Sequence, residues 1–306
     1  MTTTRGFTGF RTLESKQLKR PMFLLWLWGA SLLGVAAPGS AQSFVEVPGA
    51  LTTISAGGAS VWGLNTLHHV YRYKQSTVSF AQVPGQLTQI AVGGGNVTLD
   101  DDVWGVNTLR QIYRYNYSSN SFAQVSGSLT QIAVGSGYDN CHPYEVWGLS
   151  AAGEIYRFNY CTYTFGQVSG SLTQVAVGAG DVWGVNASQQ IYHFNSGSNT
   201  FTQVSGALAQ VAVGADQVWG ISASQQIFRF DPANQTFYQV PGLLTQVAVG
   251  GDGAWGVSTS SQVYHFDPET QAFVQMPGAL TQVAVGDGGG VWGISASSKV
   301  YFFSPY

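Results

Sequence analysis

The sequence predicts an all-β protein, a seven-bladed β-propeller of four-stranded antiparallel blades whose ring is closed by the N-terminal strand. Three observations carry the prediction. A unit of about 36 residues recurs seven times, each unit holds four short β-type runs separated by turn residues, and the chain enters and leaves the pattern in mid-unit. Periods of this length belong to solenoids, propellers or arrays.

The first 41 residues stand outside the pattern. Arg5, Arg11, Lys16, Lys19 and Arg20 precede the apolar run "PMFLLWLWGASLLGVAA" (residues 21–37), and Gly39 and Ala41 stand three and one before the bond to Gln42. A basic front, an apolar middle and a small-residue exit describe a secretory signal peptide cut at Ala41/Gln42. The alternative is an uncleaved membrane anchor, for which the run is short. The domains are then residues 1–41 as signal peptide and 42–306 as one propeller. Cleavage removes five of twelve cations and one of fifteen acids, leaving seven against fourteen, a net charge near −7. Such a chain is expected to avoid nucleic acid and anionic membrane surfaces, with no membrane insertion after cleavage.

From Phe44 onward the register is strict. Trp-Gly pairs occur at Trp62, Trp104, Trp147, Trp183, Trp219, Trp255 and Trp292, and Ile or Val follows each Trp by eight residues. Phe follows that position by ten residues in the first six units, and Gly follows each such Phe, Phe44 included, by thirteen. "LTQVAVG", "VWGV", "IYHF" and "FTQV" give strands a, b, c and d, with a innermost; Gly, Asn, Ser, Asp and Pro between them supply turns. No apolar spacing of three and four argues for helices. Four-stranded blades in a ring protect their sheet edges. The chain opens on a d-type strand, "SFVEV", and ends on a c-type strand, "VYFF", so pairing the two completes the seventh blade. An open array would leave both ends exposed.

Seven Trp in one register form either a binding ladder or, as aromatic size favours, the packing between blades. The Gly after each Trp is expected to make room for a neighbouring backbone or ring. Two residues beyond the c-strand Ile or Val stand Arg72, Arg114, Arg157, His193, Arg229, His265 and Phe302. They are expected on a solvent-facing strand that deters edge pairing, with contact to an anionic ligand as the alternative.

Only the a–b connection changes length. From the strand-a Gly to Trp the distance is 5, 11, 12, 5, 5, 5 and 6 residues, so the insertions lie on one rim in units two and three. The second unit's insertion holds Asp100, Asp101 and Asp102, expected as a solvated turn rather than a calcium site, since no EF-hand spacing is present. The third holds Cys141, and the other cysteine, Cys161, lies in the c–d connection of the same unit. Both connections leave one end of the blade, so a Cys141–Cys161 disulfide is expected in a secreted chain. Free thiols, or a zinc site with His142, fit less well.

Catalytic motifs are missing. His68, His69, His142, His193 and His265 make no metal-ligand pattern, and no nucleophile elbow or phosphate loop occurs. The sequence predicts no enzyme, metal or cofactor. Asn96, Asn116, Asn186 and Asn234 begin glycosylation triplets, which matter only in a eukaryotic host.

The unit "QVSGALAQVAVGADQVWGISASQQIFRF" (residues 203–230) and its six siblings resemble the tectonin repeat of tachylectin-1 and fish-egg-lectin proteins. The resemblance spans residues 44–303 and implies a propeller and, in secreted members, lectins for sugars or bacterial surface glycans. Seven units stand here where lectin members usually carry six, and strand d begins with Phe where Trp is common.

The favoured function is a secreted, multivalent carbohydrate-binding protein, its partners glycans or cell-surface polysaccharide. The rival is a non-enzymatic protein-binding scaffold using one face of the ring. The turns after strand b keep their length and polarity: Asn65, Asn107, Ser150, Asn186, Ser222, Ser258 and Ser295 begin them. These residues, with Gln189, are candidate sugar ligands because small amides and hydroxyls match sugar hydroxyls. They are also good turn formers. The opposite rim, with both insertions and both cysteines, is the alternative site.

Overall fold

The computed structural model describes residues 42–94 and 100–304. The signal-peptide assignment falls on residues 1–41 and lies outside the described residues. Among the described residues no helix is long and apolar enough to cross a membrane.

Among the described residues twenty-eight strands form seven antiparallel four-stranded sheets. The chain begins with β1 (Ser43–Ala50), and the first sheet is β2 (Thr53–Ala56), β3 (Val61–Leu64), β4 (His69–Lys74) and β5 (Ser79–Gln86), strands a to d of blade 1. Five further blades repeat that order. The seventh is β26 (Gln282–Val285), β27 (Val291–Ile294), β28 (Lys299–Ser304) and β1. Phe44 lies opposite Phe303 and Val45 opposite Phe302, so the first strand supplies strand d of the last blade. The a strands of neighbouring blades pack on one another around the axis, the first against the last.

The core lies between blades. Trp183 meets Phe230 and Phe237 of blade 5 edge-on, with centroids 4.6 and 5.7 Å away. Every other register Trp does the same with two rings of the following blade; Trp255 meets Phe303 and Phe44, and Trp292 meets Tyr73 and Phe80 of blade 1. Edge-to-face pairs add about 0.5–1.5 kcal/mol each beyond area burial. The Trp are therefore core, and six of the seven are wholly buried. The Gly after each Trp makes room for a neighbouring backbone, as expected, and for a leucine side chain rather than an aromatic ring. A Cβ at Gly184 would stand 2.4 Å from Leu172 Cδ1 and 2.8 Å from the Gln174 carbonyl, so the space belongs to the leucine that enters strand a.

Strand d is longer than its "FTQV" core. It runs eight residues through the Pro-Gly or Ser-Gly that reads as a turn in sequence. The register slips there, and Gly206 takes φ +125° in the bulge. Blade 3's insertion likewise extends the strands, to Gln131–Asp139 and His142–Leu149, rather than making a loop.

Strand-a glutamines tie the blades together. Gln174 Nε2 donates to the Val211 carbonyl, and the Val211 N–H donates to Gln174 Oε1. The clamp at the ring seam uses Gln282 and Ile54 in the same way. Blade 1 carries Thr53 at this position, and Ser55 Oγ instead accepts the Val92 N–H. Each net hydrogen bond contributes about 0.5–1.5 kcal/mol. Gln282→Ala is therefore expected to lower unfolding free energy in urea by about 1–3 kcal/mol; an unchanged urea midpoint would show that the seam does not depend on this clamp.

Candidate functional site

The b–c turns share one local construction. Asn186 Oδ1 accepts the Ser188 and Gln190 N–H groups, which closes a tight turn and holds Gln189 at φ +63°. Asn65 and Asn107 do the same for their own turns. Ser150 Oγ accepts from Ala152 and Glu154, and Ser222, Ser258 and Ser295 Oγ accept the N–H four residues on. These candidate side chains thus spend an oxygen on the turn itself.

In blades 2, 3 and 4 they also orient the side chain four residues on, at the start of strand c. Asn107 Nδ2 donates to Gln111 Oε1 at 2.8 Å, and Tyr113 Oη donates to the same oxygen at 3.3 Å. The Gln111 amide nitrogen has no protein acceptor among the described residues. Ser150, Glu154 and Tyr156 repeat this chain, as do Asn186, Gln190 and Tyr192. In blade 6 Gln262 Oε1 accepts from Ser260 and Tyr264.

Each such Tyr packs on the Trp cluster of the preceding blade, and Tyr113 and Tyr156 also wall a groove. Between blades 1 and 2 a groove of about 590 Å³ is lined by Pro84, Gly85 and Gln86 on one side and Asn107 and Tyr113 on the other. Between blades 2 and 3 an equivalent groove of about 640 Å³ is lined by Ser126, Gly127 and Ser128 opposite Ser150, Glu154 and Tyr156. Leu67 and Leu109 stand exposed on the same rim, at 64% and 73%. The structure thus places Asn107 and Ser150 at groove walls, while Gln189 lies exposed at its turn tip. The Gln-Tyr pairs were not among the sequence candidates. Their signal was the residue flanking the c-strand Ile or Val in "QIYRY", "EIYRF" and "QIYHF".

The opposite rim corrects two expectations. Asp101 and Asp102 do not form a solvated turn: both are buried, at 3% and 4%. Asp101 leans onto blade 1 and accepts the N–H groups of Gly58, Ala59 and Ser60 and the Ser60 hydroxyl. Asp102 accepts Trp104 Nε1 and pairs with Arg114 at 2.7 Å, and the Tyr160 hydroxyl of blade 3 donates to it. No group of three or more potential ligands converges for a metal among the described residues.

The Arg and His of strand c are not solvent-facing either. Arg114 lies 5.6 Å from the Trp104 ring centroid and 4.9 Å from that of Tyr160. Arg72, Arg157 and Arg229 are sandwiched alike, and His193 and His265 stack on Trp183 and Trp255. Cation–π contact contributes about 0.5–2 kcal/mol. The four arginines thus bridge neighbouring blades, while the two histidines pack within their own blade.

Acidic partners complete this arrangement. Trp183 Nε1 donates to Asp181 Oδ2, and His193 Nε2 lies 2.6 Å from Oδ1. Burial pushes the Asp181 carboxyl up, but the His193 and Trp183 hydrogen bonds outweigh it and hold the carboxyl below its ordinary value of 3.8. A carboxyl lowered on folding adds stability above its unfolded value, which is lost as pH falls through the folded one. Asp181→Asn should therefore flatten the decline of urea midpoint below about pH 4; parallel acid limbs for variant and wild type would contradict this.

Cys141 and Cys161 form a disulfide that fastens the blade 3 hairpin to its c–d turn. The Tyr160 N–H donates to the Cys141 carbonyl beside it.

Seven four-stranded blades with one buried Trp each define a repeat-built β-propeller with grooves between its blades. The tectonin domain family model matches residues 33–164, 96–235 and 217–305, and the chain belongs to that family. No curated protein sequence matches the chain. Among solved structures the fold is similar to human WBSCR16, with TM-score 0.62, 10% identity and coverage of 85% of this chain and 87% of that one. It is also similar to YCF48 in a structure bound to D1 peptide, with TM-score 0.64, 10% identity and coverage of 89% and 97%. At this identity the likeness shows the fold alone.

Proposed function

We propose that this protein is a secreted, non-enzymatic lectin that binds glycans in the repeated grooves of the b–c rim. The observation that carries the proposal is the recurrence, at equivalent places in blades 2, 3, 4 and 6, of a Tyr ring beside a Gln or Glu at the b–c turn. A sugar needs an apolar face to stack on and planar polar groups for its hydroxyls, and the groove offers both. Individual shallow sites bind weakly; several on one rigid ring supply avidity on a glycan-coated surface. The disulfide and the net negative charge fit an extracytoplasmic setting.

The test begins with a glycan array and continues by calorimetry with the best neutral sugar. Tyr113→Ala and Gln111→Ala together should reduce the number of titrated sites by one without changing the melting midpoint appreciably. An unchanged site count would move binding away from this rim. A second reading, a protein-binding scaffold, draws on the a–b rim, where the insertions and the disulfide are confined. YCF48, a propeller of similar fold, was solved bound to a peptide. Array silence together with saturable peptide binding at the a–b rim would favour that reading.

A further inference from the structure

The seventh blade departs from its siblings at the a–b rim. In the other six, the register Trp donates its indole N–H to an acceptor just upstream: Ser60, Asp102, Glu145, Asp181, Gln217 or Asp252. Blade 7 has Gly290 two residues before Trp292, and Phe302 where the others carry Arg or His. Trp292 Nε1 has no acceptor among the described residues, and Trp292 is 5% exposed where the other six are 0%. Its ring meets Phe302 at 4.9 Å between centroids.

A cleft of about 590 Å³ lies between blades 7 and 1, and its walls include Trp292, Phe302, Gly290, Tyr73, Arg72 and Lys74. Lys74 has no carboxylate partner among the described residues. Arg72 is held by the Trp62 and Tyr117 rings, also without an ion pair among them. Asp101, the acid that reaches this turn, is occupied by the backbone of residues 58–60.

We infer that this cleft is a single site for a carboxylate-bearing sugar, in which the ligand's carboxylate takes the place of the indole acceptor that blade 7 lacks. One carboxylate oxygen accepts from Trp292 Nε1, as Asp181 accepts from Trp183. Lys74 supplies the counter-charge, and Phe302 and Tyr73 present apolar surface to the sugar ring. A charge-assisted hydrogen bond in a part-enclosed site is roughly twice as strong as a neutral one, which sets the preference for an acid sugar over its neutral analogue. The site is on the opposite rim from the proposed glycan grooves and does not depend on them.

The probe is methyl glucuronide, with methyl glucoside as the neutral control, titrated into ¹⁵N-labelled protein while the indole N–H resonances are followed. Glucuronide should shift one indole resonance saturably, the one missing from Trp292→Phe, and glucoside should leave it in place. Gly290→Asp restores the internal acceptor. A Cβ at residue 290 would lie 3.4 Å from Trp292 Nε1, an ordinary contact, and the backbone there has no left-handed φ. This variant should fold, retain the groove sites for neutral sugar, and bind glucuronide at least about tenfold more weakly. Glucuronide that leaves every indole in place, glucoside that competes equally, or Gly290→Asp that binds as well as wild type would each overturn the inference. Loss of one neutral-sugar site in the Tyr113→Ala, Gln111→Ala double variant with glucuronide binding intact would separate the two sites.

Discussion

Deletion of residues 42–48 is expected to abolish the native ring. These residues supply most of β1, and with it Phe44, whose ring packs on Trp255 at 5.9 Å and on Phe303 at 5.2 Å. Without them β28 becomes a bare edge, and the salt bridge from Lys299 to Glu46 is lost. Loss of a strand's hydrogen bonds, the part-buried Phe44 ring and the buried Val47 is comparable with the roughly 5–15 kcal/mol by which domains are typically stable. An exposed, regular edge strand also templates pairing with another chain. The expected result is a protein that aggregates or melts far below wild type; a monomer with unchanged melting would refute closure by the N-terminal strand. Adding a synthetic peptide of residues 42–50 in trans should restore monomeric protein.

The second large effect concerns Asp101. Asp101→Ala leaves three backbone N–H groups and a hydroxyl of the blade 1 turn without their acceptor. Each unsatisfied buried polar group costs about 1–3 kcal/mol, and water will reach some of them. A loss of about 3–5 kcal/mol is expected in urea unfolding, the range in which single changes are diagnostic of broken buried networks. Asp101→Asn should fall between, since its amide oxygen still accepts while its nitrogen faces other donors. A loss below about 1 kcal/mol for Asp101→Ala would show that the turn holds without this acid.

The ring was legible in the sequence because its cause is periodic. Trp, Ile or Val, Phe and Gly recur in one register, and the phase of the two ends implies the closing strand. What escaped has a physical reason in each case. Pro-Gly and Ser-Gly read as turns, yet a bulge lets strand d run through them, because Gly206 and its equivalents take the positive φ that the register slip requires. Three consecutive aspartates read as solvated, because burial of an acid depends on donors from other units: Ser60 of blade 1 for Asp101 and Tyr160 of blade 3 for Asp102. Arg114 read as a surface cation for the same reason, its Tyr160 partner lying 46 residues further along the chain.

Of the candidate site, the turn residues were visible and their partners were not. Asn107 and Asn186 hold the turn, and the groups they orient are Gln111 with Tyr113 and Gln190 with Tyr192. The sequence could place a polar turn on the rim. Only the packing of one blade on the next shows that Tyr113 walls a groove with Pro84 and Gly85.

The central claim is that the repeat of structure is a repeat of binding sites on one rim. Native mass spectrometry of residues 42–306, titrated with the best neutral sugar from the array, counts those sites directly. The account predicts successive adducts of more than one sugar per chain, with one adduct fewer in the Tyr113→Ala, Gln111→Ala double variant. A single adduct at saturation, unchanged in that variant, would contradict it.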